Sequence, residues 1–399
     1  MKTLIKNGIL LSAESTLRDC GMVLDDGKIL GFCSGSALDE AERNAEQIID
    51  AEGLYVSPGF IDIHVHGGGG HDFMDGTADA FLGAAAFHMQ HGTTTIVPTT
   101  LSGDDRETIA CFHAFQEAKQ RMHSGPEMLG LHMEGPYFAL TQRGAQDPAF
   151  LRNPSPDHYL PLLNECSDIV RWTVAPELPG ALAFGDILAE CGILPSIGHT
   201  DAVYSDVLRA IEHGYTHVTH LYSGMSSLRR VNAYRQLGVV ESAYLLDQLT
   251  VEVIADGKHL PLELLQLICK CKPLSHIILI TDCIRCAGRE KAEELYIGSK
   301  ARGQRIIIED DVAKMPDRSC FAGSISTMDR CVRTMIQAGV PLLDAVKMAT
   351  KNPAVRMGID HRKGALEINK DADICIFTEN IDMRYVICGG TVCFKNQMI

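Results

Sequence analysis

Eight short apolar runs, separated by segments of helical pattern, recur between Val56 and Asp282. They begin near Val56 (VSPGFIDIHVH), Thr93 (TTTIVPTT), Glu127 (EMLGLHMEG), Asp168 (DIVRWTVAPE), Ile193 (ILPSIGHT), Tyr215 (YTHVTHLYSG), Thr250 (TVEVIADGKH) and His276 (HIILITDC). Such alternation is the pattern of repeated βα units on a parallel sheet. Eight units predict an α/β fold whose strands close into a (β/α)8 barrel, with the active site at the C-terminal strand ends. An open doubly wound sheet is the alternative, but no glycine-rich phosphate turn follows the first run.

The two ends of the chain read differently. Residues 3–12 and 21–33 alternate around the polar turn Asp25-Asp26-Gly27, and 372–378 (ADICIFT) and 384–394 (RYVICGGTVCF) form a second hairpin pattern. The expected organisation is a small discontinuous β-sandwich from residues 1–56 and 366–399 around a barrel of residues 57–365. A hairpin is expected over 295–311, and two amphipathic helices from about Ser326 and Leu342.

Composition narrows the function classes. With 399 residues and 46% hydrophobic side chains the chain can bury a large core. A formal charge of -15 argues against non-specific binding to nucleic acid or to an anionic membrane, so an anionic substrate must meet a local basic patch. No run approaches the roughly 18 to 20 apolar residues of a membrane span. The N-terminal MKTLIKNGILL reads as a strand rather than a signal peptide, and the fourteen cysteines fit reduced thiols; a cytoplasmic location is expected.

The chemistry concentrates where the runs end. In PGFIDIHVHG, residues 58–67, His64 and His66 stand two apart on a strand and therefore point to one side, where they can hold one metal ion. The alternative is a pair of hydrogen-bonded core histidines. Glu134, His199, His220 and Asp282 end the third, fifth, sixth and eighth runs. Imidazoles with a carboxylate suit Zn²⁺ or Fe²⁺ better than Mg²⁺, and an open coordination position acidifies bound water into a nucleophile. Asp282 at the barrel rim can move protons for such a reaction, or it can simply cap a helix.

Eight motifs in order, PGFIDIHVHG, HGTTTIVPT from His91, HMEGPYF from His132, GHT from Gly198, HLYSGM from His220, ADGKH from Ala255, TDCIRCAG from Thr281 and FAGSISTM from Phe321, carry a resemblance over essentially the whole chain. The sequence resembles the amidohydrolase superfamily, and within it the N-acetylglucosamine-6-phosphate deacetylase family. That resemblance implies one divalent ion, Zn or Fe, on Glu134, His199 and His220. It also implies room for a second on His64 and His66, with Glu134 as bridge and Asp282 nearby. Asp282 matches the catalytic acid/base, and His259 matches the residue that binds substrate and polarises the acetamide carbonyl. Substrate contacts are implied for Gln146, Ser223, Gly224, Phe321, Ala322 and Gly323, with Arg235 in RQLG for the phosphate. The implied reaction is attack of metal-activated water on the acetamide of an amino-sugar phosphate. The implied assembly is a homodimer whose neighbouring subunit contributes to the phosphate pocket.

Departures from the family pattern keep other readings open. Ser223-Gly224 replaces the usual Asn-Ala, and residues 226–234 are longer than usual, so N-acetylgalactosamine 6-phosphate or another amide is the alternative substrate. The fourth run lacks the bridging lysine of cyclic-amide hydrolases. A non-catalytic binding protein would be expected to lose metal ligands, and this chain keeps the set. Cys283 and Cys286 read as small loop residues rather than a redox or metal pair, and Cys269 and Cys271 as a helix end. Arg229 and Arg230 read as solvated charges, Trp172 as packing, and His132 as a hydrogen-bonded core residue. His88, His91, His113, His123, His213 and His361 read as surface residues.

Overall fold

The computed structural model describes residues 2–12, 14–289 and 295–397; residues 1, 13, 398 and 399 of the expected terminal sandwich lie outside them. Eight βα units build the barrel: β1 (Phe60–Val65), β2 (Thr93–Pro98), β3 (Leu131–Glu134), β4 (Ile169–Val174), β5 (Leu194–Ile197), β6 (His217–Val218), β7 (Thr250–Ile254) and β8 (Ile277–Ile280). The helices that follow are α1 (Ala78–Met89), α2 (Asp105–Arg121), α3 (Pro156–Glu165), α4 (Ala181–Glu190), α5 (Tyr204–Glu212), α6 (Val239–Leu245), α7 (Leu262–Cys271) and α8 (Met328–Gln337).

Strands β3 to β8 form one parallel sheet in chain order, and β1 pairs with β2. Backbone bonds complete the ring. Thr100 N–H donates to His132 O at 2.9 Å between β2 and β3, while Asp282 N–H to His64 O (2.9 Å) and His66 N–H to Cys283 O (2.8 Å) join β8 to β1. Every residue of β1 and of β8 is buried, as parallel strands covered on both faces require. The closing bonds lie at the strand ends that carry His64, His66 and Asp282. Barrel closure therefore brings these three side chains together.

The first barrel strand starts later than the run from Val56 suggests. Tyr55–Pro58 pairs with Ile374–Phe377 and Ile9–Leu11 instead, and Gly59 marks the change of sheet. A Cβ at Gly59 would lie 2.1 Å from Thr94 Oγ1, so only glycine lets the chain pass that close to β2. The terminal strands make two sheets, ordered Lys28–Cys33, Gly21–Asp25, Thr3–Lys6, Gln47–Asp50 and Thr391–Lys395, Met383–Cys388, Ile374–Phe377, Tyr55–Pro58, Ile9–Leu11, Thr16–Leu17. Ile5, Leu24, Ile49, Val56, Ile374 and Ile387 share the core of this part.

After β8 the chain makes two hairpins, Tyr296–Ile297 with Gln304–Arg305 and Ile307–Glu309 with Val312–Lys314. Helices then follow at Met328–Gln337 and Leu342–Ala349. His88 is not a surface residue: it is fully buried on α1, with Nε2 2.9 Å from Gly67 O, because α1 packs beneath the glycine turn that leaves β1.

Candidate metal centre

Glu134, at the end of β3, is the hub of the C-terminal barrel face. Its Oε1 lies 3.0 Å from His220 Nε2, 3.3 Å from His199 Nε2 and 3.2 Å from His64 Nε2, and its Oε2 lies 3.4 Å from His66 Nε2. Two sets of donors result, His64–His66–Glu134 and Glu134–His199–His220, with the ligand atoms of each set within 4.8 Å of one another. Asp282 Oδ1 stands 3.1 Å from His66 Nε2 and 3.6 Å from His64 Nε2. All six side chains are buried.

The backbone is unusual where the chemistry gathers. His199 (φ 50), His220 (φ 27) and Asp282 (φ 48) all adopt positive φ just beyond the ends of β5, β6 and β8. Such conformations cost free energy of order 1–3 kcal/mol each, and they persist where surrounding structure fixes a side chain for a task.

The buried carboxylates and imidazoles shift one another's ionisation. Burial pushes the Glu134 carboxyl up, but the charge of His64 and the bonds and charge of His199 and His220 hold it well below the usual carboxylate range. Burial disfavours a charged His64, yet Glu134 and Glu252 carry its pKa to about 10. For Asp282, burial is outweighed by the His66 hydrogen bond and the charge of His64, His66 and His220, and its pKa falls. His64 Nε2 is buried without a hydrogen-bond partner while facing two carboxylates. Orphaned nitrogen beside carboxylate oxygen is a donor set that fits a divalent ion of the Zn²⁺ or Fe²⁺ type.

A model of the amidohydrolase family matches residues 55–393. The chain belongs to the amidohydrolase family. An N-acetylglucosamine-6-phosphate deacetylase of Bacillus subtilis (strain 168) is 28% identical over 399 residues, covering 99% of this chain and 98% of the relative. An N-acetylgalactosamine-6-phosphate deacetylase of Escherichia coli O157:H7 is 27% identical, covering 96% of each. The crystal structure of N-acetylglucosamine-6-phosphate deacetylase from Pasteurella multocida superimposes with a TM-score of 0.90 at 26% identity, over 99% of this chain and 100% of that one. A barrel with a small β-sandwich is thus the architecture of this amidohydrolase.

His66, Glu134, His199, His220 and Asp282 of the amidohydrolase line the floor of a cavity of about 510 Å³, while His64 is fully buried. His259, Phe321, Gly323, Ser223, Gly224 and Gln146 reach its walls. His259 follows β7; its Nδ1 lies 2.8 Å from Asp256 Oδ2, and its ring is 4.5 Å from that of Phe321. Gln146 does more than line the wall. Its Nε2 donates to Glu134 Oε2 at 2.7 Å while its Oε1 accepts from Ser102 N–H at 2.8 Å, so it anchors the hub carboxylate.

Two residues expected at the substrate do not line the cavity. Ala322 is buried, its N–H donating to Ala313 O at 3.0 Å. Arg235 lies on an exposed two-stranded hairpin, Arg229–Val231 with Tyr234–Gln236, where its Nη1 donates to Ala233 O at 3.3 Å. In its own chain this arginine is not among the residues that line the cavity. Lys314, Arg318 and Cys320 line the cavity without having been anticipated, since nothing in their local sequence marks the hairpin as cavity wall. Cys283 and Cys286 are free and buried beside the eighth strand, consistent with a packing role.

Several expectations about single residues hold. His132 bridges Thr99 Oγ1 (3.2 Å) and Thr173 Oγ1 (2.7 Å) in the interior. Trp172 is fully buried, donates from Nε1 to Gly135 O at 2.8 Å and stacks on Tyr137.

Proposed function

We propose that this amidohydrolase cleaves the acetamide of N-acetylglucosamine 6-phosphate, releasing acetate and glucosamine 6-phosphate. The observation that carries the reading is Asp282 beside the two histidine–glutamate donor sets on the floor of a cavity walled by His259. A divalent ion, Zn²⁺ or Fe²⁺, held by Glu134, His199 and His220, with His64 and His66 able to hold a second, would supply Lewis acidity and an acidified water at neutral pH.

The chain's own residues do the rest. Asp282 accepts the proton of the attacking water as its oxygen bonds to the acetyl carbon, then delivers that proton to the nitrogen as the C–N bond breaks. Asp256 fixes the His259 ring through Nδ1, leaving the Nε2 edge to donate to the carbonyl oxygen as negative charge develops there. Gln146 and the Gln142 carbonyl hold Glu134 and His199 in place, the latter by a 2.8 Å bond to His199 Nδ1. The sugar packs against Phe321, and backbone groups at Ser223 and Gly224 meet the phosphate.

Arg235 belongs to the phosphate site in this reading by reaching into a second copy of the chain, which its place on an exposed hairpin beside Tyr234 (80% exposed) supports. The barrel, from Phe60 onward, carries the chemistry, and the described strands of the two chain ends, Tyr55–Pro58 among them, form the supporting sandwich. The named E. coli relative favours one second reading, deacetylation of N-acetylgalactosamine 6-phosphate. Acetate release from both phosphorylated epimers and from unphosphorylated N-acetylglucosamine, with metal content measured on the same preparation, tests the proposal. Release from the glucosamine epimer alone, lost on chelation and restored by Zn²⁺ or Fe²⁺, is expected; release from neither phosphorylated sugar by metal-loaded protein overturns it.

A further inference from the structure

Beneath the metal centre lies a second buried charge cluster that the reaction does not use. Arg171, on β4, and Glu252, on β7, are both 0% exposed and form an ion pair across the barrel. Arg171 spends its other donors on Ser196 Oγ (3.0 Å), Thr219 Oγ1 (2.8 Å) and Ile63 O (3.2 Å), which fixes its fork in one orientation. Glu252 Oε2 in turn faces His64 Nδ1 at 3.1 Å and accepts from the His220 backbone N–H at 3.1 Å, while its Oε1 faces His217 Nε2 at 3.3 Å.

A buried ion pair is seldom kept for stability alone, because apolar side chains of similar volume do as well without the desolvation cost. Its geometry indicates another use. Of the four imidazoles around Glu134, His64 alone is backed by a carboxylate among the described residues. His199 Nδ1 meets a carbonyl, that of Gln142, and the Nδ1 atoms of His66 and His220 are buried without partners among the described residues. A carboxylate behind a metal-binding imidazole fixes its tautomer and ring orientation and raises its strength as a ligand.

We propose that Glu252, held in place by Arg171, is the positioning residue of the second cation site: it takes the Nδ1–H of His64 and so turns the Nε2 lone pair toward Glu134 and Asp282. The proposal rests on the two-cation reading of the centre given above. The site on Glu134, His199 and His220 depends on Glu252 far less, because only the backbone of His220 touches it.

The test is metal binding, read by elemental analysis after equilibrium dialysis against Zn²⁺ and by Co²⁺ absorption. In the wild-type chain two ions per chain are expected. In Glu252→Gln the second ion should bind about 10- to 100-fold more weakly, while the first changes by less than about threefold. Because this variant leaves Arg171 unpaired in the interior, the double variant Arg171→Met/Glu252→Leu removes both charges together. It should fold with a lowered Tm, because Ser196, Thr219 and His217 lose partners, and still bind the second ion about 10- to 100-fold more weakly. A folded double variant that binds both ions as tightly as wild type overturns the proposal, and so does equal loss of both ions. A wild-type chain that binds one ion and is active overturns the proposal while leaving the deacetylase reading intact; one that binds none overturns both.

Discussion

The Asp282 carboxylate and the His66 imidazole meet 3.1 Å apart at the seam where the last barrel strand returns to the first. Asp282 reaches the cavity floor through a left-handed backbone that a Ser324 N–H to Asp282 O bond of 2.8 Å holds in place. Replacing it with asparagine keeps the shape and removes the proton carrier. We expect Asp282→Asn to lower kcat by about 10²- to 10⁴-fold with metal content within twofold of wild type. Steady-state kinetics and elemental analysis on one preparation check this, and unchanged kcat would remove Asp282 from the acid/base role.

Gly224 tests how the His199 imidazole is held. Its φ is +55, and a Cβ there would sit 2.9 Å from both Gln142 O and His199 Nδ1, the two atoms joined by the orienting bond. Gly224→Ala should therefore weaken the first metal site by about 10- to 100-fold. Titration of the metal-free protein with Zn²⁺ reads the effect directly.

Arg235 is exposed in its own chain, so Arg235→Ala should change stability by less than about 0.5 kcal/mol. If it serves the phosphate of a neighbouring copy, KM for the phosphorylated substrate should rise about 10- to 100-fold, the worth of a charge-assisted hydrogen bond. Unphosphorylated N-acetylglucosamine should be unaffected. An equal rise for both sugars counts against a phosphate role.

His88 predicts a pH dependence of stability. Burial lowers its pKa to about 4, so the folded chain keeps it neutral where the unfolded chain, with an ordinary pKa near 6.5, takes up a proton. The unfolded state binds more protons between these values, and stability falls as pH drops from about 6.5 to about 4, by up to about 3 kcal/mol at roughly 1.4 kcal/mol per unit. Above about pH 6.5 the contribution is complete. Urea denaturation of wild type and His88→Gln at pH 7 and pH 4.5 should show a shallower acid loss in the variant; parallel losses would mean another group governs it.

Chelation gives the broadest readout. With Glu134, His64, His66, His199 and His220 drawn around one point, removing bound metal should abolish acetate release and lower Tm, and adding Zn²⁺ should restore both. Calorimetry before and after chelation measures it. No change in Tm would argue that the donor sets hold no ion tightly.

The sequence by itself determined the eight apolar runs and which polar residues end them. Both follow from local rules: β-branched runs make strands, and a two-residue period puts His64 and His66 on one side. The phase of Glu134, His199, His220 and Asp282 relative to those runs was legible for the same reason. Glu252 inside TVEVI and Arg171 inside VRWTV drew no reading from the sequence, because an isolated charge in an apolar strand does not name its partner. Only the tertiary structure decided that Arg171 and Glu252 face each other behind His64, that Gln146 anchors Glu134, that His88 is core, and that Arg235 leaves its own cavity. Each of these depends on which strands and loops become neighbours when the barrel closes, and a pattern that runs along one segment carries no information about the side chain opposite it.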